Sequence, residues 1–249
     1  AGNSERLKVD STGLYVNGSS TALVGGASSI NGLSDGYNDT SSVGLGTNAL
    51  LNDDGTANKS TAIGTNTLKA STIGLNNTAV GYDALMSLVT HRYNTAIGNN
   101  ALKYHVTHNS TAVGDSAGGS NTTGYNLAAF GLGALRMNTT GSSNTALGSY
   151  ASYSNTTASY NTVTGHYSFY DNTTGHSNTV NGSDALGNAT SANFNIAIGR
   201  DAGDAITTGS NNTVIGSLDG TSTMASTVLL GAGTTERLKI DSTGLYVNG

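Results

Sequence analysis

Polar and apolar positions along this chain repeat with a period of about 17 residues. A five-residue motif of Asn or Ser, Thr, Ala, an apolar residue and Gly recurs from Ser60–Gly64 to Asn212–Gly216. Its glycines are separated by one full period at every step from Gly114 to Gly216, and the four earlier steps are nearly equal to it. These glycines are Gly46, Gly64, Gly81, Gly98, Gly114, Gly131, Gly148, Gly165, Gly182, Gly199 and Gly216. The period is too short for a pair of helices and predicts an all-β, parallel β-solenoid with two short strands and two turns per coil.

Alternation within the motif assigns its residues to the two faces of a strand. The apolar residue before the glycine shares one face with the Thr two residues earlier, as Ile97 does with Thr95. We predict that this face fills a thin core. The intervening Ala, such as Ala96, lies on the opposite face, which we predict to admit a second backbone at close range. The apolar column comprises Leu45, Ile63, Val80, Ile97, Val113, Phe130, Leu147, Ile198 and Ile215.

Two further columns concern the turns of the coil. Four residues before the glycine the chain usually places Asn or Ser, and stacked Asn side chains can bond their equivalents in adjacent coils. Two residues after the glycine it often places Asn or Asp, followed by Ala-Leu, as at 48–50 and 100–102. The second pattern predicts a turn that leads into the second strand of each coil.

The two ends of the chain differ from the repeats. Residues 1–18 and 232–249 are near copies that differ at three positions, and each predicts a β-hairpin with a Ser-Thr-Gly turn. Residues 19–231 form the predicted solenoid region. Because the first residue is not Met and the terminal sequence is duplicated, we interpret the chain as a segment with further fibre modules at either end.

Composition narrows the classes of protein that fit this pattern. Hydrophobic residues make up 36% and charged residues 10% of the chain, both below the values usual for a globular domain. The net charge of −5 and the absence of Pro argue against disorder. There is no basic tract to bind nucleic acid, no apolar run long enough for membrane insertion, and no Cys for disulfides or thiolate metal sites.

The Asn-Thr-Ala-Ile-Gly coils, over residues 40–231, resemble the left-handed parallel β-roll of trimeric autotransporter adhesin heads and related repeats in bacteriophage tail fibres. The segment Thr235–Gly244 is similar to one that often precedes the endosialidase-type intramolecular chaperone of phage fibres. These resemblances imply a homotrimer whose three rolls pack around a common axis, in a virion or at a cell surface. The coil is a few residues longer than that of adhesin heads.

Two sets of titratable residues could carry chemistry, and each also has a structural interpretation. Asp184 and Asp201 are separated by one period, so stacked coils would place them near the separation of a retaining glycosidase pair. Their column elsewhere holds Asn, which favours a turn role. His91, His105 and His108 could hold a metal, but their polar return turn favours exposed structural histidines. We predict no catalytic residue, no metal site and no cofactor.

The coils between Tyr150 and Asn181 depart from the repeat. Thr164 and Asn181 replace the apolar residue before the glycine, and aromatic residues gather nearby. Tyrosines that are separated by one period predict aromatic ladders. Exposed ladders could stack on sugar rings, whereas buried rings would replace lost aliphatic volume in the core. The candidate ligand-binding residues are Tyr150, Tyr153, Tyr160, Tyr167 and Tyr170.

These observations predict a non-enzymatic structural segment of a phage tail or appendage fibre that contacts a host-surface glycan. The head of a bacterial trimeric adhesin is an alternative, because it would be a solenoid stabilised in nearly the same way. An ice-binding solenoid is a third class, suggested by the Thr column. The predicted inward placement of that column argues against ice binding.

Overall fold

The computed structural model describes the backbone of residues 7–10, 13–16, 23–24 and 36–38, and residues 41–55 and 58–248 in full. Within these ranges the protein is all β, with eighteen strands and no helix. The first four strands are β1 (Leu7–Asp10), β2 (Gly13–Val16), β3 (Leu23–Val24) and β4 (Gly36–Asn38). Twelve strands follow in the repeats: β5 (Val43–Leu45), β6 (Thr61–Ile63), β7 (Thr78–Val80), β8 (Thr95–Ile97), β9 (Thr111–Val113), β10 (Ala128–Phe130), β11 (Thr145–Leu147), β12 (Thr162–Thr164), β13 (Thr179–Asn181), β14 (Ile196–Ile198), β15 (Thr213–Ile215) and β16 (Val228–Ala232). The last two are β17 (Thr235–Asp241) and β18 (Gly244–Val247).

Strands β5 to β16 form one parallel ladder that runs the length of the repeats. Each strand pairs with its equivalent in the next coil, so that Ala79 pairs with Ala96 and Ala96 with Ala112. Antiparallel pairs extend this ladder, since β4 pairs with β5 and β16 leads through β17 to β18. Strands β1 to β3 form a second, antiparallel sheet. The predicted parallel β-solenoid, with one coil for each period of the sequence, is confirmed.

Each coil has one short strand, which is three residues long in β5 to β15 and five in β16, and the segment after the motif glycine forms no strand within the described repeats. This segment still bonds to the next coil, for example from Leu68 N–H to Ala84 O at 3.1 Å. Its second and fourth residues adopt left-handed backbone, with φ of 58° at Asn66 and 46° at Leu68. Because alternate left-handed residues prevent an extended chain, the prediction of two strands per coil was wrong.

The structure also reverses the predicted faces of the motif strand. Ala96 is fully buried, whereas Ile97 is 40% exposed and Thr95 is half-buried. In this and most other coils the strand contributes only the methyl group of an Ala, because a Leu from the segment after the glycine, such as Leu102, fills the remaining space. The core is therefore a row of mostly Ala and a row of mostly Leu, and the apolar column that was predicted to fill it lies outside. Later coils bury a larger residue in place of the Ala, namely Val163, Val180, Val214 and Leu229. The Leu row includes Leu50, Leu68, Leu85, Leu102, Leu135 and Leu186.

The motif glycines are required by both backbone conformation and crowding. At Gly148 φ is +146°, a conformation that residues with a side chain rarely adopt. A Cβ at this position would collide with the carbonyl group of Gly165 in the next coil. The same contact recurs from coil to coil, so the predicted alignment of these glycines in one column is confirmed.

Two ladders of buried amide side chains join the coils. In the predicted ladder, Asn161 Oδ1 accepts hydrogen bonds from the backbone N–H and from Nδ2 of Asn178, each at 3.0 Å. A second ladder lies seven residues after the motif glycine, where Asn138 Nδ2 donates to Asn121 Oδ1 at 2.8 Å. These bonds satisfy amide groups that would otherwise be costly to bury.

Candidate functional site

Four of the candidate tyrosines form two stacks along the outside of the solenoid. Tyr150 and Tyr167 have ring centroids 5.1 Å apart and ring planes inclined by 15°. Tyr153 and Tyr170 stack at 5.1 Å and 9°. All four residues are half-buried. The structure therefore joins them in a partly exposed aromatic surface, named here the tyrosine ladder.

The place of the tyrosine ladder follows from the segment after the motif glycine. Tyr150 and Tyr167 are the second residues of that segment, with left-handed φ of 57° and 51°. Tyr153 and Tyr170 are its fifth residues. The fourth residue points into the core, where Phe169 is fully buried at a position that Leu occupies in many other coils. An aromatic ring thus replaces aliphatic core volume at Phe169, while the four tyrosines lie outside it.

Arg136 covers the tyrosine ladder on the side of the earlier coils. Its Nη1 donates to the hydroxyl of Tyr153 at 3.0 Å, and its guanidinium carbon lies 5.8 Å from the centroid of that ring. On the same side, a Cβ added to Gly133 would lie 2.9 Å from the ring of Tyr150. The first rings of the ladder are therefore packed between neighbouring coils.

Tyr160 does not join the tyrosine ladder. It lies five residues before Gly165, at a turn with φ of 64°, and is 67% exposed with no ring contact to the other tyrosines. The polar substitutions Thr164 and Asn181 lie on the outward face of their strands, and Asn181 is exposed. A polar side chain at that position therefore carries no free-energy cost for a buried polar group without a hydrogen-bond partner.

A cleft of about 300 Å³ opens at the other end of the tyrosine ladder. It is lined by Tyr167, Tyr170, Asp171, Asp184, Gly187, Asn188, Asp201 and Asp204. These residues come from three consecutive coils, at the second, fifth and sixth positions after the motif glycine. At the fifth position, Gly187 separates Tyr170 from Asp204 and contributes no side chain, so the group nearest to the space beside it is the carboxylate of Asp204. This feature is named here the acidic cleft.

Carboxylates dominate the electrostatics of the acidic cleft. Burial, followed by the negative charges of Asp201 and Asp184, raises the pKa of Asp204. Ser183 Oγ donates to Asp184 Oδ2 at 2.6 Å, and the exposed Arg200 lies 3.4 Å from Asp201 Oδ2. Asp184 and Asp201 both have φ of 57°, the left-handed turn conformation that Asn and Asp adopt more readily than most residues. Their geometry is therefore that of turn residues.

His105 is buried, although its place in a polar return turn predicted an exposed side chain. Its Nε2 lies 3.1 Å from Asn94 Oδ1 and its Nδ1 lies 2.5 Å from Asn121 Nδ2, so the ring connects the two amide ladders. Burial, followed by the charges of His91 and His108, lowers its pKa to about 3. The prediction of an exposed histidine was wrong here. Its position seven residues after the motif glycine, which it shares with Asn121, is the signal that identifies it as an interior residue.

The other histidines of this region form an outer stack. The rings of His91 and His108 lie 6.1 Å apart, and His108 stacks in turn on Tyr125 at 5.8 Å. Across residues 41–55 and 58–248, no group of three or more His, Asp or Glu side chains is arranged to hold a metal ion. The stack is thus an aromatic contact between coils.

The outward side of strands β5 to β16, named here the outer strand face, carries a row of exposed apolar side chains. The members of this row that are more than a third exposed are Ile63, Ile97, Phe130, Leu147, Ile198 and Ile215. The Thr column runs beside this row, as at Thr95. Thr164 and Asn181 interrupt the row in the coils that carry the tyrosine ladder. The outer strand face is therefore apolar on both sides of a short polar gap.

Comparisons of this chain with protein-family models, with curated proteins and with solved structures find no match. Among the residues that the structure describes, no helix is long and apolar enough to cross a membrane. The geometry of the outer strand face, the tyrosine ladder and the acidic cleft is therefore the basis on which a function can be proposed.

Proposed function

We propose that this protein is a structural segment of a phage tail or appendage fibre, in which three copies pack their outer strand faces around a common axis. The observation that carries the proposal is the apolar row on that face. Contiguous exposed apolar surface is uncommon on proteins that act as monomers and is typical of an interaction surface. Packing between copies would remove these side chains from water. The Ala side of the strand, which was predicted to admit a second backbone, is interior, so this proposal places the subunit contact on the outer strand face.

The register of the solenoid supports such an assembly. Equivalent residues of successive coils lie in columns with a spacing of about 4.8 Å, so twelve strands give a rod of roughly 50 Å. Rotation about an axis parallel to these columns would bring Ile97 of each copy to the same level. The number of copies is taken from the fibres that the repeats resemble, and the location that goes with it is a virion or a cell surface. A bacterial trimeric adhesin head would use the same assembly.

The mass of the purified protein in solution tests the assembly. Light scattering should give three times the 24.9 kDa of one chain. Ile97→Asn should lower the mass toward that of one chain while the fold is retained, because Ile97 lies outside the core. Met137→Asn is the matched control, since Met137 is similarly exposed but belongs to the segment after the motif glycine. A folded wild-type protein of about 24.9 kDa would refute the trimer.

The tyrosine ladder supports a second element of this proposal, contact with a host-surface glycan. Partly exposed aromatic rings provide flat apolar surfaces with polar hydroxyl groups, a combination that suits sugar rings. The double variant Tyr153→Ala, Tyr170→Ala should lose binding to a panel of bacterial surface glycans while its melting temperature stays close to that of the wild type. Retained binding together with a large loss of thermal stability would instead identify the rings as structural.

One observation favours a second candidate function, an ice-binding solenoid. The Thr column was expected to face inward, but Thr145, Thr162 and Thr179 are exposed on the outer strand face. Because the column does not face inward, its placement no longer counts against ice binding. A measurement of thermal hysteresis separates the two functions, because a fibre subunit that buries this face in a trimer should show none.

A further inference from the structure

The tyrosine ladder stops at a position where the solenoid has room for another ring. At the fifth position after the motif glycine, successive coils carry Tyr153, Tyr170, Gly187 and Asp204. Tyr153 covers one face of the Tyr170 ring at 5.1 Å. The next coil contributes no side chain at Gly187, so the other face of Tyr170 borders the acidic cleft.

We propose that the acidic cleft binds a pyranose ring that bears a protonated amine, an amino sugar of a surface glycan, stacked on Tyr170 in the space beside Gly187. This inference rests on the proposed contact with a host-surface glycan. It specifies where the sugar binds and which charge it carries.

The backbone does not require a glycine at position 187. Gly187 lies outside the left-handed region, in contrast to the motif glycines. Other coils carry Lys69, Lys103 and Arg136 at this position. A Cβ on Gly187 would come closest to Asp204 Oδ1, the end of a side chain, at 2.9 Å. Asp184 O would lie 3.1 Å from the same Cβ. The coil therefore accepts a side chain here if the Asp204 carboxylate turns aside, and a ligand ring at this level requires the same movement of Asp204.

The spacing of the solenoid sets the position of the ligand. Successive coils repeat about every 4.8 Å along the axis, close to the separation of the stacked tyrosine rings. A sugar ring on the open face of Tyr170 would occupy the level of Gly187 as the next member of the stack. At that level the carboxylate of Asp204 and the side chain of Asn188 border the cleft. Both can bond groups at the rim of a pyranose, the carboxylate as an acceptor and the amide as donor or acceptor.

The charge of the cleft selects the kind of sugar. Four of its lining residues are carboxylates, namely Asp171, Asp184, Asp201 and Asp204, and no lining residue is basic. The exposed Arg200 pairs with one of them, Asp201, from outside the cleft. The carboxylates are not arranged as a metal-ligand group within the described residues, whereas an ammonium group on a ring can reach them from the stacked position. Charge-assisted hydrogen bonds to an ammonium group are stronger than those to a neutral hydroxyl. Acidic sugars should be repelled. Burial, followed by the charges of Asp201 and Asp184, raises the pKa of Asp204, which agrees with an excess of negative charge in the cleft.

Calorimetric titration of the purified protein with three oligosaccharides tests the proposal. The probes are a glucosamine oligomer, its N-acetylated counterpart of equal length, and an oligomer that contains uronic acid. We expect the glucosamine oligomer to bind at least about tenfold more tightly than the N-acetylated oligomer, with an affinity that falls as salt is raised. The uronic-acid oligomer should not bind.

Three variants locate the binding event. Tyr170→Ala and Asp204→Asn should each weaken glucosamine binding by about tenfold, through loss of the stacking surface and of a charge-assisted bond. Gly187→Tyr should abolish it by filling the space with a further ring. Asp115→Asn makes the same change of charge at an exposed site several coils away, and should leave the affinity unchanged. Melting temperatures of all variants report whether the fold is retained.

Several outcomes would overturn the proposal. Equal affinity for the acetylated oligomer, undiminished binding by a folded Gly187→Tyr variant, or equally tight binding of a lysine oligopeptide at the same site would each do so. The proposed attachment is tested separately with whole cells. If cells bind and Asp204→Asn does not alter that binding, the cleft proposal fails while attachment stands. If the glucosamine oligomer binds as expected but cells do not, attachment fails and the cleft remains an amino-sugar site.

Discussion

Adjacent residues of strand β8 provide a direct test of which side of the strand is interior. Ala96 is fully buried and is flanked in the sheet by Ala79 and Ala112, whereas Ile97 is 40% exposed on the outer strand face. Ala96→Phe would insert a ring into a part of the interior where β8 and its two neighbouring strands contribute only methyl groups. Ile97→Asn would change a side chain that is partly in solvent already. The two substitutions should therefore have different consequences.

The expected magnitudes follow from these positions. Overpacking a closed interior costs about 1–3 kcal/mol, and we expect about 3 kcal/mol for Ala96→Phe because the residue has no exposed side into which the ring can turn. For a chain of this size that corresponds to a fall in melting temperature of roughly 6–12 °C. Ile97→Asn should cost an isolated subunit no more than about 1 kcal/mol. In an assembled fibre it should weaken contacts between copies.

Thermal melting by circular dichroism and mass by light scattering separate the two effects. Ala96→Phe should lower the melting temperature at any protein concentration. Ile97→Asn should lower the mass while the β-type spectrum persists. The opposite result, in which Ala96→Phe lowers the mass without altering melting and Ile97→Asn unfolds the chain, would refute this assignment of the two faces.

Two further predictions concern the interior and the backbone. Because the pKa of His105 is lowered to about 3 in the folded protein, its contribution to the free energy of unfolding is complete above pH 6.5 and is lost as the pH falls toward 3. His105→Asn should flatten this dependence in melting curves recorded between pH 7 and pH 4, and an unchanged pH profile would contradict the assigned burial. Gly148→Ala should destabilise the fold by about 2 kcal/mol or more through its φ of +146° and its contact with the next coil. Lys69→Ala, a surface change, should leave the chemical denaturation midpoint within error, and equal effects of the two substitutions would argue against the glycine column.

The period and the glycine column could be predicted from the sequence because every coil meets the same constraints. In each coil the motif glycine lies against the carbonyl group of the next motif glycine, with no room for a side chain. The constant spacing of Gly131, Gly148 and Gly165 follows from that contact. The amide ladder that lies four residues before the motif glycine was predictable for the same reason. Features that depend on the stacking of coils recur in every repeat, so they can be recognised in the sequence without knowledge of the local backbone conformation.

The inside of the coil could not be predicted from alternation alone. Alternation separates Ala96 from Ile97 but does not state which side is enclosed, and the larger apolar residue is the usual choice for a core. The deciding quantity is the space left by Leu102, which comes from a different part of the coil. Its neighbour Leu85 has φ of 49° at the equivalent position, a conformation that sequence preferences do not suggest for Leu. The acidic cleft was missed likewise, because Gly187 appeared as one glycine among many.

The glycine column also bears on how the length of such a protein can change. Each coil presents the same backbone surface to the coils before and after it, as when Gly131 lies against Gly148 and Gly114 against Gly131. Removal of residues 115–131 would join two surfaces that already fit each other, and a duplication would insert a coil between them. Recombination between repeats of the gene would therefore shorten or lengthen the rod in steps of about 4.8 Å while preserving the fold. Such a change would alter the length of the rod without any change to the coils that bear the tyrosine ladder.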